Sequence, residues 1–153
     1  MGKDSNHKME SNDIVGVWRV KELGRQGGSE PIFDESLPSI IVFTSNHYSM
    51  VWAFGKVPQR FFTRRWKPTD AEKIERFDSL VVNAGTYETE GNTLIAHPVV
   101  ARIPEFMGGK FICEYHVERD SMILKFVDEY SFDGVQAPWV AGGGITLTLV
   151  RAE

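Results

Sequence analysis

Three side chains in this sequence suit proton transfer by their type and setting: His97, Tyr87 and Glu22. His97 precedes Pro98 inside the apolar stretch Leu94-Ile95-Ala96-His97-Pro98-Val99-Val100. Proline cannot donate to a strand ladder, so the stretch is irregular there or lies at a rim. A histidine facing a dry cavity could act as general base, because its pKa lies near working pH. The alternative is a structural imidazole bonded to a carbonyl or packed on a ring. Tyr87 sits between Thr86 and Glu88. If those two face water the phenol points inward, where it either polarises a ligand carbonyl or bonds to protein. Glu22 follows Trp18 and Val20 at period two. It is then an interior carboxylate with a raised pKa, or a wet one at the strand's open end.

A second group of residues suits holding an apolar molecule. Tyr48, Met50, Trp52 and Phe54 recur at period two and form one face of a strand. Tyr115 shares a face with Phe111, Cys113 and Val117, while Phe106 and Trp139 fall on segments expected at a pocket mouth. With four Trp, four Tyr and ten Phe in the chain, these positions favour an apolar or aromatic small molecule inside. Ordinary core packing is the alternative for each. The motifs of nucleotide, zinc-protease and paired-cysteine chemistry are absent. His47, His97 and His116 lie on different segments at no recognised ligand spacing, so no metal or other cofactor is expected. Cys113, the single cysteine, lies mid-strand among aromatics and reads as a buried, inert thiol.

The elements that must position these residues are mostly strands. Alternating apolar patterns mark Val15–Leu23, Ser39–Thr44, Tyr48–Phe54, Ala84–Glu90, Asn92–Val100, Lys110–Glu118, Met122–Asp128 and Thr146–Arg151. One helix is expected over Asp70–Val82, opened by a Thr69/Glu72 capping box and marked by Ile74, Phe77 and Val81 at helical spacing. It is expected to lid or flank the sheet. Eight antiparallel strands suit an up-and-down barrel just wide enough for one small ligand.

Gly16-x-Trp18 marks how such a barrel would close. Glycine permits a tight bend, and Trp18 then plugs one end. Arg151 on the last strand can cover the indole, a contact contributing roughly 0.5–2 kcal/mol. Gly16-x-Trp18 with a closing Arg151 resembles the lipocalin pattern. The run Asn83-Ala84-Gly85-Thr86-Tyr87-Glu88, then Gly91-Asn92-Thr93-Leu94 and His97-Pro98, resembles the bacterial lipocalin-like domain proteins. The resemblance spans about 13–151 and implies an all-β, eight-stranded antiparallel up-and-down barrel with one short helix. It implies no single reaction, since barrels host many activities.

The chain has 153 residues and a formal net charge of −4, enough length for one substantial core and no charge footprint for nucleic acid. The basic and aromatic run Arg60–Lys67 reads as a solvated rim beside a pocket mouth. No apolar run spans a membrane, and the polar opening is not a secretory signal, so a cytoplasmic setting is expected. Residues 1–12 read as a disordered tail and 13–153 as the barrel domain. A homodimer is compatible with this reading. Two functions fit. One is a cofactor-free enzyme of isomerase, lyase or cyclase type acting on an apolar or aromatic metabolite. The other is a non-catalytic carrier or sensor of the same class of ligand.

Overall fold

A computed structural model describes residues 13–25, 33–34, 37–53 and 59–153. The elements run β1 (Gly16–Arg25), β2 (Phe33–Asp34), β3 (Ser39–Phe43), β4 (His47–Ala53), α1 (Asp70–Asp78), β5 (Leu80–Glu90), β6 (Thr93–Ala101), β7 (Lys110–Glu118), β8 (Ser121–Tyr130) and β9 (Ile145–Arg151). The expected tail 1–12 and Phe54 lie outside the described residues. Each long strand pairs antiparallel with its neighbour in the chain, and β1 pairs with β9, which closes an eight-stranded up-and-down barrel. The two-residue β2 continues the edge of β1 beyond β3, pairing Glu22 with Asp34 and Leu23 with Phe33.

The barrel is clasped where its first and last strands meet. Trp18 is fully buried opposite Arg151, whose guanidinium lies 4.3 Å from the indole centroid. The Trp18 Nε1 donates to the Ile14 carbonyl at 2.8 Å, and Arg151 donates to the carbonyls of Val15 and Asp13 at 3.0 and 2.6 Å. Gly16 has φ +143°, and a Cβ there would meet the Arg151 guanidinium at 2.7 Å. The bend and the close approach therefore both require glycine.

Three bulges set which side chains face inward. In β1 the pairing steps from Val20↔Leu149 to Glu22↔Thr148, so Lys21 is extra. The alternation reverses there, and Leu23 rather than Glu22 follows Trp18 and Val20 into the core. In β8 the pairing steps from Cys113↔Phe126 to Ile112↔Asp128, so Val127 is extra. Met122, Leu124 and Phe126 face in, and after the bulge Glu129 takes the inward place. In β5–β6, Ala84 pairs with Val100 and Gly85 with Pro98, leaving exposed Val99 as the extra residue.

Helix α1 ends four residues earlier than its periodicity suggests. Its capping box is formed, yet none of its residues is buried, and Ile74 and Phe77 are 62% and 52% exposed. Leu80, Val81 and Val82 instead pair with Ala53, Trp52 and Val51 of β4, because ladder bonds and interior packing outweigh one more turn of an unpacked helix. Arg102 fastens the helix end by donating to the Phe77 carbonyl at 2.6 Å and lying over the Phe77 ring. Among the described residues no helix is long and apolar enough to cross a membrane.

Candidate functional site

The two ends of the barrel differ. At the clasped end the interior is filled, and the phenols there bond to turn carbonyls. Tyr87 donates to the Thr44 carbonyl at 2.5 Å and packs edge-on against Phe43. Tyr115 donates to the Gly91 carbonyl at 3.0 Å. Burial, with a smaller contribution from Tyr115, pushes the Tyr87 phenol up to about 12. The opposite end remains open where β1, β4, β6 and β8 finish and β5, β7 and β9 begin. A cavity of about 230 Å³ lies there.

The cavity is lined mainly by apolar side chains. Leu23 comes from β1, Met50 and Trp52 from β4, Val81 from β5, Phe111 from β7, Phe126 from β8 and Ile145 from β9. Two short 3₁₀ turns, Pro104–Phe106 and Pro138–Gly142, bring Phe106 and Trp139 to the rim with ring centroids 5.9 Å apart. Few polar groups interrupt this lining. Asn83 accepts a short hydrogen bond from the Tyr48 hydroxyl, and burial raises the pKa of that phenol. Arg25 and Arg102 sit among the lining residues. Glu129 accepts from Trp139 Nε1 at 2.6 Å. Burial holds the Glu129 carboxyl above its ordinary pKa, the Trp139 bond opposes this, and neighbouring Asp128 adds to it. Trp52 is 3% exposed, and its Nε1 has no hydrogen-bond partner among the described residues.

The residues expected from sequence are therefore scattered. Met50, Trp52, Phe106 and Trp139 line the cavity together. Tyr48 is buried, meeting Asn83 through its hydroxyl and Phe111 edge-on through its ring. Tyr87 does face inward, but its hydroxyl is engaged at the clasped end, as is that of Tyr115. The interior position of His97 is corrected, and Glu22 takes the wet one of its two expected settings. His97 is exposed because Leu94, Ala96 and Pro98 take the inward places of β6, and its Nε2 lies 3.2 Å from Glu88 on the outer surface. Glu22 is exposed because of the bulge at Lys21. Glu129, Asn83, Arg25 and Arg102 were not singled out by sequence. No sequence signal marks Glu129, because period two from Met122 puts Asp128 inward and Glu129 outward, and only the bulge at Val127 reverses them. Cys113 is fully buried, and burial pushes its thiol well up. Among the described residues no three His, Cys, Asp or Glu side chains cluster to hold a metal ion.

The sequence profile of a family described as a lipocalin-like domain matches residues 15–140. Among solved structures, a mutant of the fluorescent protein UnaG is similar at 8% identity, covering 93% of this chain and 98% of that one with a TM-score of 0.38. No curated protein matches the chain in sequence.

Proposed function

The chain belongs to the lipocalin-like domain family, and from that premise we propose that it binds a small apolar or aromatic molecule in the open-end cavity. The observation that carries this reading is the contrast between the ends. One is closed by Trp18 and Arg151, while the other keeps an apolar hollow bounded by aromatic rings. A cavity of roughly 150 Å³ accommodates benzene, so about 230 Å³ suits a molecule of one or two rings. Titration with 1-aminonaphthalene, a fluorescent two-ring amine that is neutral at pH 7, tests it. Saturable one-site binding is expected, lost in Ile145→Trp, which fills the mouth, and retained in Tyr87→Phe at the far end. Failure to saturate, or full binding in Ile145→Trp, overturns the reading.

A second reading is turnover of the bound molecule by cofactor-free acid–base chemistry of isomerase or lyase type. It is favoured by Glu129, a carboxyl in the cavity lining whose pKa is raised by burial. As carboxylate it would take a proton from a ligand carbon, and as carboxyl it would return one elsewhere, which is the proton balance of an isomerisation. On this reading Glu129 replaces His97, Tyr87 and Glu22 as the proton-moving group. Deuterium uptake from solvent at the α-carbon of a bound two-ring ketone, slowed by about 10²-fold or more in Glu129→Gln, would support turnover. Equal uptake in both proteins leaves the carrier or sensor reading standing.

A further inference from the structure

Trp52 points to the kind of ligand the cavity takes. The residue is 3% exposed, it lines the cavity, and its N–H meets no acceptor among the described residues. The indoles of Trp18 and Trp139 are satisfied: Trp18 donates to the Ile14 carbonyl and Trp139 to Glu129. A buried donor left unmet costs more than a made bond contributes, so buried indoles ordinarily find a partner. The cavity lining that Trp52 shares is mostly rings and aliphatic groups, Met50, Val81, Phe106 and Phe111 among them.

We propose that Trp52 Nε1 is the polar anchor of the cavity and donates to one uncharged acceptor, a carbonyl oxygen, on an otherwise apolar one- or two-ring ligand. This rests on the open-end cavity being the binding site. Two features favour an uncharged acceptor over a carboxylate. The indole is a neutral donor with one hydrogen to give. Glu129 lies in the same lining, and a second negative group there would face it in a poorly solvated space. Of the two arginines in the lining that could offset an anion, Arg25 is exposed to solvent and Arg102 is already directed to the Phe77 carbonyl and ring on α1. Aromatic lining from Phe106, Phe111 and Trp139 suits a flat ring system beside that carbonyl.

Three probes of matched size test the assignment on the full chain at neutral pH: 2-acetylnaphthalene, 2-ethylnaphthalene and 2-naphthoate. Affinity is read from shifts of the indole N–H signals in ¹H–¹⁵N spectra, with the Trp52 signal identified by its loss in Trp52→Phe. The ketone is expected to bind about tenfold tighter than the hydrocarbon and to move the Trp52 signal downfield. In Trp52→Phe that preference should vanish while hydrocarbon affinity stays within about threefold, a ratio that also controls for folding. Equal affinity of ketone and hydrocarbon in the unaltered protein overturns the anchor alone. So does a ketone preference that survives in Trp52→Phe, or naphthoate binding tightest. Binding by none of the three overturns the cavity reading, and the anchor with it.

Discussion

A carboxyl in an apolar lining holds its proton more strongly than one in water, and folding stability inherits that difference. Glu129 has its folded pKa raised above the ordinary carboxylate value, first by burial. The folded state therefore binds more protons than the unfolded chain between the two values. The group's contribution is most favourable below the unfolded pKa and is lost as pH rises through the folded one. Glu129→Gln removes this loss while an amide oxygen can still accept from Trp139. Its melting temperature should match that of the unaltered protein near pH 4 and exceed it increasingly toward pH 8. A variant that is less stable at pH 8 would contradict the assignment. His97 sits on the outer surface beside Glu88, both partly exposed, where such pairs contribute little. His97→Ala should therefore change stability by less than about 0.5 kcal/mol and leave 1-aminonaphthalene affinity unchanged.

Helix α1 and the β5–β6 pair illustrate opposite ways in which an element is held. The helix buries nothing, so its order depends on its ends. Thr69 accepts from the Glu72 N–H, and Glu72 accepts from the N–H groups of Thr69 and Thr63. Those backbone bonds lower the Glu72 pKa, so this cap is in place above the ordinary carboxylate value and is lost as pH falls through the folded one. Thr69→Ala should cost the helix roughly 1 kcal/mol. It should show as faster amide exchange confined to 70–78, with little change in the global melting temperature. In β5–β6 the constraint is packing. A Cβ on Gly85 would sit 2.1 Å from the His97 carbonyl oxygen and 2.8 Å from the Val99 nitrogen, both backbone atoms. Gly85→Ala should destabilise the whole fold by roughly 3 kcal/mol in chemical denaturation. The strands themselves were legible because alternation survives in short segments, and the cap was legible because Thr and Glu stand three residues apart. The helix end was not, since Val81 fits both a helical and a strand period and only the pairing with Trp52 decides between them.

The molecule as a whole is closed at one end and hollow at the other, and the two ends should respond independently. Arg151 combines a contact over Trp18 with hydrogen bonds to the Asp13 and Val15 carbonyls and an ion pair with Asp120 at 3.8 Å. Arg151→Ala should destabilise folding by roughly 2–4 kcal/mol. Under conditions where the variant is folded, its affinity for 1-aminonaphthalene should match that of the unaltered protein, because Arg151 is not among the cavity residues. A large loss of affinity would mean that the clasp shapes the cavity from a distance.

Residue order alone carried the barrel, the strand count and the Trp18–Arg151 clasp, because these follow from period-two alternation and from residues whose geometry tolerates few substitutes, such as Gly16. It also placed Met50, Trp52, Phe106 and Trp139 among the pocket candidates. The tertiary structure alone decided which carboxylate enters the barrel. A bulge at Lys21 turns Glu22 out, and a bulge at Val127 turns Glu129 in. One extra residue reverses every side chain beyond it, and its location depends on the register of a partner strand far away in the chain.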